Sequence, residues 1–449
     1  MLRTCPHLSR FIPFVTGLML VFLSSEALFG QEADTHVNAG DTAWILVSTA
    51  LVLFMTIPAL GLFYAGLVRT KNVLSILMQC LVLTAVISVL WTVCGYTLAF
   101  DSTGMAKGKI GISSFVGGFS KSFLSGVTAQ SETGTIPEIL FVAFQMTFAV
   151  ITPALMIGAF CERIRFFSLL LFSSVWLLLV YVPICHMTWG GPGGYFADQG
   201  VMDFAGGIVV HITAGFGALV ACIMVGPRLG FPKQLEPPHN MTMTVTGTAM
   251  LWVGWFGFNG GSALAANGSA AMALFVTHLS ASIATIIWMT IDWIRIGKPS
   301  VLGAATGSIA GLAAITPASG YVGPLGALVI GSASAGLCYL FATKIKQKFA
   351  YDDTLDVFGV HGVGGFLGTI LCGIFASPWF GGSGDKSYAI VQHVMTQSFA
   401  AVTAGIYTII LTYAILKVID LTCGLRVDGN TEIRGLDLCE HEERGYILY

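Results

Sequence analysis

The chain has 449 residues, 55% of them hydrophobic and 10% charged, and its 21 Lys and Arg against 23 Asp and Glu leave a formal net charge of −2. So few polar residues cannot cover the surface of a soluble chain this long, so composition excludes an ordinary soluble protein and implies one that lies mostly in a membrane. The balanced charge carries no footprint for a nucleic-acid partner. The 10 cysteines lie mostly inside apolar runs, as at Cys80, Cys94, Cys161, Cys222 and Cys372. With no CxxC pair and no Cys–His spacing, they read as small apolar residues, not as a disulfide frame or a metal site.

Residues 1–30 carry Arg3 and Arg10 ahead of the apolar run FIPFVTGLMLVFL and end in small residues. That pattern predicts a cleavable signal peptide, with the mature chain starting near Gln31; the run is short for a membrane span. Windows of about 20 residues then give apolar segments at 42–68, 73–100, 136–161, 166–187, 204–225, 241–261, 271–296, 301–316, 321–343, 355–376 and 390–419. These predict an all-α polytopic membrane protein with eleven transmembrane helices, followed by a polar tail over 421–449. The loops alternate in charge. Arg69, Lys71, Arg163, Arg165, Arg228, Lys233, Arg295, Lys298, Lys344, Lys346 and Lys348 fall on one side, Lys107, Lys109, Lys121 and Lys386 on the other. Lys and Arg mark the cytoplasmic side, which predicts an N-terminus outside, a C-terminus inside and, with a signal peptide, a cell inner membrane.

Two histidines stand in apolar sequence, His211 and His361, each 8 residues after an aspartate, Asp203 or Asp353. An ionisable side chain in the bilayer costs roughly 2.5 kcal/mol or more, so such residues point to function, although packing histidines bonded to carbonyls would look the same. The first five segments carry His211 at their end and the next five carry His361. Five is odd, so the chain reads as two inverted five-helix repeats plus a final helix, with both histidines converging near the midplane. Gly303, Gly307 and Gly311, like Gly364 and Gly368, have the four-residue spacing of close helix packing. No phosphate-binding loop is present.

DFAGGIVVH (203–211), CERIRF (161–166), HMTWGG (186–191), GWFGFNGGSALAANG (254–268) and DVFGVHG (356–362) together resemble the ammonium transporter family of Amt, Mep and Rhesus proteins. The resemblance runs from about residue 44 to 446, and His211 is similar to the bacterial and plant Amt branch. It implies a pore through each subunit of a homotrimer, membrane lipid around it, and no cofactor. It also implies an outer recruitment site of Phe148, Trp189 and Ser262, a gate of Phe148 and Phe258, and a pore lined by His211, His361, Trp255, Ile151 and Val357. Asp203 resembles the family's structural aspartate at the recruitment site. The tail resembles a regulatory segment through Gly435, Asp437, His441 and Tyr446, on a face where a PII signal protein could insert a loop.

The residue types suit that chemistry. Ammonium matches potassium in charge and size but has four N–H donors and a removable proton. Aromatic faces and hydroxyls attract the cation; a dry apolar pore disfavours it against neutral ammonia; paired imidazoles can bond the neutral molecule and relay its proton. Trp189 alone would also fit an interfacial anchor. Asp203 could touch the cation or cap a helix, and Asp352 and Asp356 compete with Asp353 for the equivalent role. An ammonium sensor of the same fold is the rival reading, yet 421–449 is short for a signalling domain. A hydrolytic enzyme would want HExxH or GxSxG, and neither occurs.

Overall fold

The computed structural model describes residues 36–233 and 237–447; the signal-like segment lies outside them. Long helical segments follow one another along the chain: α1 (Ala39–Leu67), α2 (Thr70–Phe100), α3 (Glu138–Phe160), α4 (Phe166–Trp189), α5 (Gly207–Val225), α6 (Met241–Gly261), α7 (Gly268–Ile296), α8 (Val301–Ile315), α9 (Pro324–Phe349), α10 (Phe358–Phe375) and α11 (Ile390–Thr422). Among the described residues, nine are long and apolar enough to cross a membrane. The other two are α6, whose threonines and glycines dilute its apolar character, and α8, which has 15 residues.

Side-chain caps explain several starts. Asn38 Oδ1 accepts from the Gly40 and Asp41 N–H groups before α1, Asn267 caps α7 and Ser300 caps α8, so the first orphan donors of each helix are satisfied. Helices α5 and α10 begin at 207 and 358, three residues later than the apolar pattern from 204 and 355 suggested. In both, an aspartate holds the preceding segment out of the helix.

The glycine ridge expected at 303, 307 and 311 lies against α7: a Cβ at Gly307 would sit 2.6 Å from the Trp288 Cβ, and one at Gly311 2.6 Å from the Ser280 oxygen. Gly368 is tighter still against Ala314, whereas Gly364 has ordinary room. Helix α3 is the most enclosed, with 83% of its apolar window buried, and it is entered through a two-stranded hairpin of β1 (Glu132–Thr133) and β2 (Ile136–Pro137).

The polar tail folds onto the helix ends as α12 (Gly429–Arg434) and α13 (Leu436–His441). The Asp437 carboxylate accepts from the Leu74 and Ser75 N–H groups at 3.0 and 2.8 Å, so the tail caps the first turn of α2 from a distance of more than 350 residues in sequence. Leu436 N–H donates to Asn72 Oδ1 at 2.8 Å, and His239 Nε2 lies 3.1 Å from the Tyr446 hydroxyl. Composition alone would leave such a segment disordered; specific bonds hold it.

Beneath the tail, Glu162 accepts from the Arg69 N–H and Nε and from Asn72 Nδ2, and Asp352 takes a forked bond from Arg228 at 2.8 and 2.9 Å. Arg163, fully buried, donates to the carbonyls of Ala159, Cys161, Asp352 and Gly226. Burial pushes the Glu162 carboxyl up, but Arg69 and Arg228 outweigh it and hold the group below the usual range.

Candidate functional site

Asp203 precedes α5 and is 5% exposed. Its Oδ1 accepts from the Gly206 and Gly207 N–H groups at 2.9 and 2.6 Å, and its Oδ2 from Ile208 and Val209 at 2.8 and 3.0 Å. One carboxylate thus satisfies four orphan donors at a helix start and meets the positive end of the dipole. Burial still pushes this carboxyl up, against the pull of those four N–H groups. Asp353 repeats the arrangement before α10, with Oδ1 to Val357 N–H at 3.0 Å and Oδ2 to Phe358 N–H at 2.8 Å. Burial, with Asp356 adding and Lys346 opposing, pushes the Asp353 carboxyl up to about 6. Asp352 and Asp356 instead pair with Arg228 and Lys346, so Asp353 alone is the counterpart of Asp203.

Both helices then open with a π turn, Gly207–Ile212 and Phe358–Gly362, and each turn contains its histidine. His211 N–H donates to the Gly206 oxygen at 2.9 Å, five residues back. Such widened turns recur at functional sites. The two rings, 1% and 4% exposed, lie with centroids 5.2 Å apart and 26° between planes, Nδ1 facing Nδ1 at 3.3 Å. His211 also stacks near Trp255 (5.6 Å) and Phe258 (6.0 Å). Its Nε2 is buried without a hydrogen-bond partner.

Beside the imidazoles is a cavity of ≈ 10 Å³, lined by Ile151, Trp255, Phe258, His211 and His361 together with Met55, Leu60, Phe63, Leu155, Val210, Leu251 and Ile309. It has room for about one water-sized molecule. Trp255 is fixed by its Nε1 donating to Thr316 Oγ1 at 2.9 Å. Val357 is not on this wall; it packs against Gly158 one turn before His361.

Phe148 and Phe258 meet at 4.4 Å between centroids, and Trp189 stands edge-on to Phe148 at 5.8 Å. The Trp189 indole donates to the Asp203 carbonyl at 2.8 Å, and the Ser262 hydroxyl donates to the Phe258 carbonyl at 2.8 Å, which leaves its own lone pairs free to accept. Trp189 and Ser262 are half-buried, whereas Phe148 and Phe258 are each 1% exposed. Ring contacts therefore run from half-buried Trp189 through Phe148 and Phe258, whose planes are tilted by 40°, to His211.

The model of the Ammonium Transporter Family matches residues 43–446. The chain belongs to the ammonium transporter family. It is 46% identical over 415 residues to a putative ammonium transporter of Methanothermobacter thermautotrophicus, covering 92% of this chain and 99% of that one. It is 42% identical over 414 residues to an ammonium transporter of Bacillus subtilis, covering 91% and 99%. Among solved structures, Mep2 of Saccharomyces cerevisiae superposes with a TM-score of 0.80 at 35% identity, covering 88% of this chain and 89% of that one. A sensor Amt protein superposes with a TM-score of 0.82 at 27% identity, covering 90% and 98%. As a member of that family, the chain is a multi-pass membrane protein and not an enzyme.

Sequence reasoning missed two glycines of the site. Gly215 and Gly365 each follow a histidine by four residues. A Cβ on Gly215 would lie 2.2 Å from the Gly362 backbone, and one on Gly365 would lie 2.7 Å from the His211 Cβ. Each glycine lets the other histidine's turn approach. The shared HxxxG spacing was the available signal.

Proposed function

We propose that this protein conducts ammonium nitrogen by recruiting the cation at Phe148, Trp189 and Ser262, removing its proton, and passing ammonia through the Phe148–Phe258 gate and along His211 and His361. The observation that carries this reading is the stacked imidazole pair beside a cavity of one small molecule's size. At the outer group, a ring face and a hydroxyl oxygen suit an N–H-bearing cation. Further in, the walls offer no charge to replace lost water, so the neutral form is favoured. The Nδ1···Nδ1 contact requires one ring to donate and the other to accept. One outward Nε2 is then a donor and the other an acceptor. A proton arriving at the acceptor can leave from the donor once both tautomers exchange, which makes the pair a relay.

In this reading α6 and α8 also span, giving eleven transmembrane helices as two inverted repeats of five plus a last one. The N-terminus lies outside and the docked tail inside, subunits form a homotrimer with one pore each, and the tail face is where a PII-type protein would act. The likeness to a sensor Amt protein favours one rival, an ammonium sensor whose output is a change of shape.

An ammonium pulse on reconstituted vesicles separates these readings. A current, read on a solid-supported membrane, is expected, with none for potassium. A luminal pH change without current would replace the relay by neutral ammonia conduction. Ligand binding with neither flux would favour the sensor. A comparable potassium current would mean that the phenyl gate passes hydrated ions.

A further inference from the structure

His186 lies in the last turn of α4, three residues before Trp189, and is fully buried. Its Nδ1 is 2.9 Å from the Ala99 carbonyl oxygen and its Nε2 2.8 Å from that of Ser113. Carbonyl oxygens only accept. A neutral imidazole has one N–H, so it satisfies one of these contacts and sets a bare lone pair against oxygen at the other; an imidazolium donates at both.

The surroundings suit a cation. As part of the last turn of α4, the ring lies at the negative end of that helix dipole. Ala99 is in the last turn of α2, so its carbonyl is one of those that a helix end leaves unpaired. Two helix C-termini therefore meet at one ring. Of the charged groups on the packed segments, Asp101 is committed to Thr103 and Ser120, Asp198 to the Gly108 and Gly193 N–H groups, and Lys107 and Lys109 lie on the exposed stretch between Ala99 and Ser113. Tyr181 and Cys185 are the other ionisable groups on the adjoining turns of α4.

We propose that His186 is held as an imidazolium whose two N–H groups clamp residues 99 and 113 to the end of α4 and so fix the Trp189 ring. It is a positioning residue. The Gly190 N–H donates to the His186 carbonyl at 2.9 Å, so Trp189 sits within the turn that His186 closes. Among the described residues, the other side-chain hydrogen bond from that turn to a neighbouring segment is the indole bond to Asp203. The functional half of this inference rests on recruitment at Trp189; the clamp does not.

The His–Met pair at 186–187 occurs once in the chain, so pairwise isotope labelling identifies this ring by solid-state NMR without any variant. At mildly alkaline pH both ring nitrogens of the lipid-reconstituted protein are expected to carry hydrogen, because each faces a carbonyl oxygen. One bare nitrogen overturns the clamp. His186→Gln is expected to raise the half-saturation concentration for ammonium by roughly three- to tenfold, the span of one weakened cation–π contact, with the maximal rate little changed. In a Trp189→Leu background the same change should add nothing; an undiminished effect there overturns the positioning role. If Trp189→Leu itself leaves half-saturation unchanged, recruitment at that ring fails, and the NMR result still decides the clamp. Because protonation is read on the native chain, a misfolded variant does not spare the proposal.

Discussion

Removing the Asp203 carboxylate tests whether it serves the backbone or the cation. Its two oxygens accept from four N–H groups at 2.6–3.0 Å, inside a site that is 5% exposed. Losing an exposed N-cap costs about 0.5–2 kcal/mol, because water takes over the freed donors. Here water has little access, and each stranded donor costs about 1–3 kcal/mol. Four of them set an upper bound of about 4–12 kcal/mol before relaxation. With the turn relaxing, Asp203→Ala should lose about 3–5 kcal/mol, the range for breaking a buried charged contact. Asp203→Asn keeps one oxygen for two of the donors but turns its NH₂ against the other two, so it should recover about half of that loss. The assay is thermal unfolding of the detergent-solubilised protein beside ammonium uptake at matched protein levels. The Asp203 carbonyl also holds the Trp189 indole, so half-saturation should rise in step with instability. Equal loss of uptake in both variants, with unfolding unchanged in either, would refute the cap and point to direct contact between carboxylate and cation.

Replacing both His211 and His361 by alanine should abolish selective ammonium transport while leaving a folded, membrane-inserted protein; ammonium-over-potassium selectivity retained in reconstituted vesicles would remove the histidines from the mechanism. Deleting the chain from Gly424 onward takes away the Asp437 cap on α2, worth about 1 kcal/mol, and should lower uptake without altering selectivity; full activity would make the tail passive. Glu162→Gln removes the charge that faces Arg69 but leaves Arg228 its fork to Asp352, so at neutral pH it should cost less than the about 3–5 kcal/mol of a fully broken buried pair. The Glu162 carboxyl is held below its unfolded range near 4.3, so its stabilisation is complete above that pH and disappears as pH falls through the lower folded value. Melting curves of the native chain should show that acid loss, and those of Glu162→Gln should show less of it.

Helix positions were legible because a membrane segment must be apolar along nearly its whole length, and α6 was found at its own boundaries even though threonine and glycine weaken its pattern. The imidazole pair was legible because ionisable residues are rare in such sequence. Aromatic contacts across helices were not: nothing in the order of residues places Phe148, on α3, beside Phe258, on α6, or brings Trp255 to Thr316. Those residues came from the family resemblance. The tail misleads in the opposite direction. Its composition is that of a disordered end, but its order depends on a few stereospecific bonds, such as Asp437 to α2 and Leu436 to Asn72, which composition does not register.

The two histidine turns show how a repeat that is faint in sequence is exact enough in geometry to build one site. Three residues after each capping aspartate the backbone turns to positive φ, at Gly206 (114°) and at Asp356 (61°). Glycine does this freely, and aspartate tolerates it better than most residues. A Cβ at Gly206 would also strike Val210 at 2.6 Å, so the first copy needs glycine. The second has room for a side chain, and Asp356 uses it to hold Lys346. Identity is therefore lost where the local space differs, while the order of aspartate, positive φ, π turn, histidine and glycine is kept. Each part has a separate job. The carboxylate replaces the missing turn of helix as an acceptor, the positive φ lets the chain enter the helix abruptly, the π turn carries the imidazole, and the glycine lets the opposite turn come close. Losing any one in a single copy should displace one ring from the other, so the pair is a property of both halves of the chain together.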